Sequence, residues 1–300
     1  MAKVKHILLV FNPLARSGRA AKDLPAIRQA FEQKQVTMEI LKSANPGEIR
    51  QCLARFDFSA FDAVVAAGGD GTLFEVVNGL MLQAVEQRPP LGVIPIGTGN
   101  AFARDIGLSG GDWKTAIEKI CAGRFRGIDL GQLSWAGGQY YFLNVVGFGL
   151  VVDAARTAGS LKGVGRLSYT LGALWQMLKL RSFRLKLQCD EVVLEQETLL
   201  VEISNSRYTG TSFLMAPAAK LDDGLLDLTL VRKVSRLRLL RLFTTIYSGK
   251  HVEHEEVSVL QGSHFHISSP ASYVLLADGE FSGQTPAEIR CVPAAIRIFY

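Results

Sequence analysis

Two glycine turns of one design constrain this chain more than any other feature. GGDGT at Gly68–Thr72 and GTGN at Gly97–Asn100 each follow an apolar run, FDAVVAA and LGVIPI, and each precedes a helical pattern. Strand runs that lack polar alternation must be covered on both faces, which is the condition of a parallel α/β sheet. The order from Lys5 to about Ala122 agrees. HILLVF, a helical stretch over Gly18–Lys34, VTMEIL, a helix opening near Pro46, FDAVVAA, a helix over Thr72–Glu86, LGVIPI and helical segments around Ala101–Asp105 and Trp113–Cys121 alternate as βα repeats do.

Beyond Gly123 the period changes to two. GIDLGQLSW, the turn AGGQ and YYFLNVVGFG read as a hairpin, and short turn-bounded runs continue through FRLKLQCD, ETLLVEIS, LLDLTLVR, SYVLLADGE and AIRIFY. Helical patterns over Gly165–Leu180 and Ser235–Tyr247 interrupt them. The expected architecture is therefore an α/β domain with a parallel sheet at 1–123, then a mostly β sandwich domain at 124–300. A length of 300 residues suits two cores.

Composition narrows the classes further. The four cysteines are far apart with no CxxC pair, which gives neither a zinc site nor a disulfide framework and fits a reducing compartment. The five histidines, including His264 and His266 on one strand face, read as strand residues rather than metal ligands. MAKVKHILLVF lacks the length and cleavage site of a leader and reads as the first strand. No window reaches about twenty uninterrupted apolar residues, so the expectation is a cytoplasmic protein, peripheral to the membrane at most. A net charge of +5 favours anionic partners such as nucleotides or lipid head groups without choosing between them. Nucleic acid is not among the expected partners.

A strand that runs into a helix through glycines exposes backbone N–H groups at the positive end of the helix dipole, a seat for phosphate. Asp70 then stands where an anion is bound. A carboxylate beside phosphates makes chemical sense when a divalent cation or a proton to be removed lies between them. The plain alternative is a tight βα turn with Asp70 or Thr72 capping the helix. Two such turns at neighbouring strand ends form one crevice at the carboxyl edge of a parallel sheet. Another turn, the first in chain order, is NPLARSGRA, which follows the first strand with Asn12, Pro13, Ser17 and Gly18. Neither GxxxxGK[ST] nor a GxGxxG at the first strand-to-helix turn is present, which sets aside the P-loop and the standard dinucleotide fold.

NPLARSG, GGDGTLFEVVNGL and PIGTGNAFAR, in this order and spacing, resemble the diacylglycerol kinase catalytic-domain family, which includes sphingosine and ceramide kinases and bacterial YegS-like lipid kinases. KLDDGLLDLTLV and LLADGE resemble that family's carboxyl half. The resemblance implies an ATP- and Mg2+-dependent kinase of lipid metabolism that phosphorylates a lipid hydroxyl, such as that of diacylglycerol, at a membrane surface. It implies that Asn12, Pro13, Ser17, Gly18 and Ser43 lie near the nucleotide, Ser43 standing where a threonine is common. Gly68, Gly69, Asp70, Gly71, Thr72, Leu73 and Phe74 would hold the triphosphate, and Thr98 and Asn100 would complete the pocket. Arg104 would be a further phosphate contact.

For proton removal the resemblance offers Asp70, by analogy with sphingosine kinases, or an acid of DGE, Asp278 or Glu280, by analogy with bacterial members. The DGE acids are preferred here, with Asp70 orienting nucleotide and magnesium; DGE as a plain hairpin turn is the alternative. A second magnesium would take the Lys220 carbonyl, the Asp223 carboxylate and the Leu225 carbonyl, against the alternative of an ordinary DDG turn. The first turn departs from the family pattern by an extra residue before Ser17. Ser235–Tyr247 and Leu161–Lys186 mix apolar and basic residues, as an interfacial helix does or as a helix packed on the β domain does. Edge strands permit a homodimer. Two other functions share these features: NAD kinase, which has GGDGT and a two-domain plan, and a sensor of nucleotide or lipid without turnover.

Overall fold

Runs of Val, Ile and Ala that cannot tolerate water on either face form the centre of the first unit of this computed structural model, which describes residues 3–16, 18–42, 45–160, 168–210 and 212–300. The chain divides into two units, residues 1–128 with 294–300 and residues 129–293. The first unit therefore runs past the change of pattern at Gly123 and recovers the last residues of the chain.

In the first unit, strands β1 (His6–Phe11), β2 (Thr37–Lys42), β3 (Ala63–Gly68) and β4 (Leu91–Pro95) alternate with helices α1 (Leu24–Gln33), α2 (Glu48–Leu53), α3 (Asp70–Leu80), α4 (Ala101–Asp105) and α5 (Trp113–Ala122). β2, β1, β3 and β4 lie side by side and parallel, with β1 between β2 and β3. All of β3 and β4 is buried, as their apolar runs require. β2, which alternates in sequence, lies at the edge and is half exposed. The chain's last strand adds in parallel beside β4 through Ile298 and Leu91.

The second unit is antiparallel. It contains β5 (Phe125–Trp135, entered from the first unit), β6 (Gly138–Phe142), β7 (Val145–Gly149), β8 (Phe183–Cys189), β9 (Val192–Ser204), the short pair β10 (Tyr208–Thr209) and β11 (Phe213–Leu214), and β12 (Leu226–Arg232). β13 (Val257–Gly262), β14 (His264–Ser268), β15 (Val274–Ala277), β16 (Glu280–Gln284) and β17 (Ala287–Phe299) follow. β9 is shared along its length: Val192–Thr198 pairs with β8, and Leu200–Ser204 lies between β7 and β12.

Helices α6 (Leu150–Ser160), α7 (Ser168–Lys179) and α8 (Arg236–Thr245) accompany these strands. α7 and α8 answer two of the expected helical patterns, and Ser235 caps α8 by accepting from the Arg238 N–H. α6 is not among the expected elements. It begins directly after β7, and the single turn residue at the change of period is Gly149, at φ 76°. YYFLNVVGFG is likewise not one strand: β6 pairs with β5, whereas β7 pairs with β9 and β15. The interruption falls at Leu143 and Asn144, whose backbone N–H groups turn to the Asp278 carboxylate instead of a strand partner.

Candidate functional site

Because β1 sits between β2 and β3, the strand order of the first unit reverses at β1 and β3. Parallel α/β sheets take their ligands outside the carboxyl ends of such strands. The turns after β1, β3 and β4 all leave from that edge. The structure joins them directly: the Asn12 N–H donates to the Ala67 carbonyl at 3.3 Å, and Asn12 Nδ2 donates to Thr72 Oγ1 at 3.3 Å. The second and third turns meet backbone against backbone, so that a Cβ on Gly97 would lie inside contact with Gly69 Cα and 2.7 Å from the Gly69 nitrogen.

Asp70 opens α3, and its carboxylate accepts backbone N–H bonds from Phe102, Ala101 and Asn100 at the start of α4. Burial raises its carboxyl above the ordinary aspartate range, while those N–H bonds pull the other way. In this geometry Asp70 ties the GGDGT turn to the GTGN turn, a positioning role that its place in the sequence does not disclose. Asn100 is also a brace. Its Oδ1 accepts from the Gly97 N–H at 3.1 Å and its Nδ2 donates to the Gly97 carbonyl at 2.9 Å, with the residue in the left-handed region at φ 56°. Thr72, Leu73 and Phe74 have buried side chains, so at this edge they offer backbone groups of the helix start rather than side-chain contacts. Thr98 is exposed, Pro13 and Gly18 are half-buried, and a Cβ on Gly18 would meet nothing within 4 Å, leaving room for a ligand. Ser17 and Ser43 lie outside the described residues.

In the second unit the DGE acids separate in character. Asp278 is buried at the β15–β16 turn in the left-handed region at φ 49°. Its carboxylate accepts from the backbone N–H groups of Leu143 at 2.7 Å, Asn144 at 2.8 Å and Val145 at 3.0 Å. Glu280 opens β16 and is exposed. The loop at 220–225 is held by Asp129: its Oδ2 accepts from the Gly224 N–H at 2.7 Å and its own N–H donates to the Leu221 carbonyl at 2.6 Å. Asp223 Oδ1 accepts from the Leu225 N–H at 3.1 Å. Burial, and next the charge of Asp223, push nearby Asp227 up to about 6. A hard cation on Asp223 would relieve that concentration of negative charge, so the oxygen donors there suit magnesium.

Two family models match, the diacylglycerol kinase catalytic domain over residues 6–133 and the YegS C-terminal NAD kinase beta sandwich-like domain over residues 144–300. A diacylglycerol kinase of Mycobacterium tuberculosis (strain ATCC 25618 / H37Rv) is 34% identical over 300 residues, covering 99% of this chain and 95% of the relative. The chain belongs to the diacylglycerol kinase family. A diacylglycerol kinase of Bacillus subtilis (strain 168) is 30% identical over 287 residues, covering 95% and 93%. A crystal structure from Bacillus anthracis str. Sterne matches with a TM-score of 0.84 at 27% identity, covering 100% of this chain and 96% of that one.

Membership in the diacylglycerol kinase family makes this chain an enzyme of the lipid kinase kind, with the expected parallel α/β domain followed by the mostly β one. Within that frame, sequence reasoning passed over several residues. Glu75, in the GGDGTLFEVVNGL stretch, accepts from the Gly47 N–H at 2.9 Å and the Ile49 N–H at 3.2 Å, capping α2 from α3. Asp129 and Asn205 are buried braces, the latter donating to the Asp129 and Leu143 carbonyls at 3.0 Å each. Only the length of the separations hid them: each pairs with residues far away in sequence.

Proposed function

We propose that this enzyme transfers the γ-phosphate of ATP to the hydroxyl of a lipid such as diacylglycerol. The observation that carries the reading is the meeting of three strand-to-helix turns at the carboxyl edge of the first unit's sheet, on either side of its strand-order reversal. The names of its relatives in Mycobacterium tuberculosis and Bacillus subtilis support diacylglycerol as acceptor.

Phosphoryl transfer asks a protein chiefly to position reactants and to offset charge. The N–H groups that open α3, with Thr98 and the Asn12–Gly18 turn, take the triphosphate. Magnesium, when bound, neutralises phosphate charge. Asp70 fixes the second turn against the third and places a carboxylate at the same edge. One carboxylate of the DGE pair, Asp278 or Glu280, takes the acceptor's single hydroxyl proton, Asp278 also anchoring the turn through residues 143–145. The Lys220 carbonyl, the Asp223 carboxylate and the Leu225 carbonyl would hold a further magnesium, whose charge would brace that loop. The enzyme works in the cytoplasm and visits the membrane for its substrate; among the described residues, no helix is long and apolar enough to cross a bilayer.

The test is incubation with magnesium and γ-labelled ATP over diacylglycerol, sphingoid base, ceramide and phosphatidylglycerol in mixed micelles, with NAD as a separate acceptor. Label in a phospholipid supports the proposal and names the acceptor. Label in NADP alone transfers the enzyme to NAD phosphorylation. ATP binding without labelled product from any acceptor overturns turnover and leaves a sensor.

A further inference from the structure

The second unit leaves an unusual set of side chains in water. Leu171, Trp175 and Leu178 recur along α7 at the spacing of one helix face, yet they are 42%, 56% and 55% exposed. Leu237 on α8 is 61% exposed and Tyr247, just beyond that helix, 45%. The two helices belong to one surface, because Thr170 Oγ1 and Tyr247 Oη lie 3.2 Å apart. Beneath them Met177, Leu239, Leu242 and Phe243 already form a buried cluster; Tyr247 sets its ring edge-on against Phe213 and Phe243 at the border of that cluster, while Leu171, Trp175, Leu178 and Leu237 are not needed to close a core.

Charge says what such a face can meet. Residues 168–186 carry Lys179, Arg181, Arg184 and Lys186 and no acid, and residues 233–250 carry Lys233, Arg236, Arg238, Arg241 and Lys250 and no acid. In the chain as a whole, 33 cations stand against 28 acids. Two of the cations are spent inside the unit, Arg238 on Glu256 and Lys233 on Glu197. Lys179, Arg181, Arg236 and Arg241 have no acidic partner among the described residues. An apolar stripe with Trp and Tyr, bordered chiefly by cations, with the nearby acids Glu255 and Glu256 paired to Arg232 and Arg238, matches the acyl boundary and head groups of an anionic bilayer.

We infer that the exposed face of α7 and α8 docks this enzyme on an anionic lipid bilayer. The inference rests on the lipid kinase reading for its purpose, but its chemistry is independent of turnover. Leu171, Trp175, Leu178, Leu237 and Tyr247 enter the boundary between head groups and acyl chains, and the four cations bind the head groups.

The test is sedimentation of the full-length chain with phosphatidylglycerol or phosphatidylcholine vesicles that contain no acceptor, without ATP. Binding is expected to phosphatidylglycerol and to weaken as salt is raised from about 0.1 to about 1 M, where the screening length falls from about 10 to about 3 Å. Trp175→Ser with Leu178→Ser, and separately Arg236→Gln with Arg241→Gln, should each weaken it by at least about tenfold, with unchanged melting temperature. Phosphorylation of a water-soluble short-chain diacylglycerol should persist in both variants, which separates loss of docking from loss of the kinase reading. Three results would overturn the inference. The wild-type chain fails to bind phosphatidylglycerol vesicles, both variants bind as it does, or light scattering finds a dimer that Trp175→Ser dissociates.

Discussion

Gly97 has no room for a methyl group, and the reason is specific to the candidate site. A Cβ there would sit inside contact with Gly69 Cα, 2.7 Å from the Gly69 nitrogen and 2.8 Å from Asn100 Oδ1. The first two are backbone atoms and cannot swing aside. Restoring ordinary separations of about 3.5–4.0 Å forces the two turns apart by about 1 Å. Gly97 is not among the residues of positive φ, so Gly97→Ala probes crowding alone. Overpacking of this size costs about 1–3 kcal/mol, or several degrees of melting temperature at about 2–4 °C per kcal/mol. Displacing a phosphate-binding turn by about 1 Å should lower kcat/KM for ATP by about 100-fold. The assay is initial-rate kinetics over a range of ATP at saturating lipid, with melting followed in parallel. Gly159→Ala is the control: a Cβ there meets nothing within 4 Å, and within α6 it should stabilise by about 0.5–1 kcal/mol without touching turnover. A Gly97→Ala enzyme with kcat/KM within about threefold of wild type would refute the claim that contact between these turns sets the nucleotide geometry.

Asp278→Asn and Glu280→Gln should both lose turnover, but only the first should lose stability. It sets an amide against three backbone donors, a loss of about 1.5–3 kcal/mol readable by calorimetry. Asp70→Asn should reduce both kcat and melting temperature, because the carboxylate joins α3 to α4; an unchanged melting temperature would remove the brace. Saturating MgATP at about 100 times its Kd should stabilise the wild type by about 2.7 kcal/mol, measured by thermal shift, with little effect on Gly97→Ala. Buried Glu202, which accepts from Thr209 Oγ1 at 3.1 Å, is pushed by burial from 4.5 to about 7. The folded chain then holds a proton that the unfolded chain releases. Its stabilising effect is complete below pH 4.5 and is lost as pH rises through about 7, on the order of 3 kcal/mol in all. Glu202→Gln should flatten the fall in melting temperature between about pH 5 and about pH 8, and an unaltered slope would show that Glu202 titrates normally.

How far the candidate site was legible depends on the distance over which each residue acts. The strand, glycine and helix series at Ala63–Leu80 and Leu91–Asp105 is local, so the glycine turns of the candidate site could be located from their residues. The role of Asp70 could not, since its partners stand some thirty residues on, at Asn100–Phe102. Asp278 and Glu280 are two residues apart and look interchangeable on paper. Three N–H groups from residues 143–145 make the first an anchor, while the second stays exposed. The same bonds explain why YYFLNVVGFG could not be divided correctly: the break between β6 and β7 answers to Asp278, not to any breaker within the run.

By itself the sequence determined that the first half is a parallel α/β unit and the second an antiparallel one, because the periods of apolar residues are properties of short segments. It also determined where backbone could be approached closely, since glycine leaves that room in any fold. Tertiary structure alone decided which strands are neighbours, and hence that three turns share one edge. It also decided which carboxylates spend their lone pairs on backbone N–H groups, and which apolar helix residues remain in water. Those outcomes follow from packing between residues tens to more than a hundred positions apart, which no local pattern encodes.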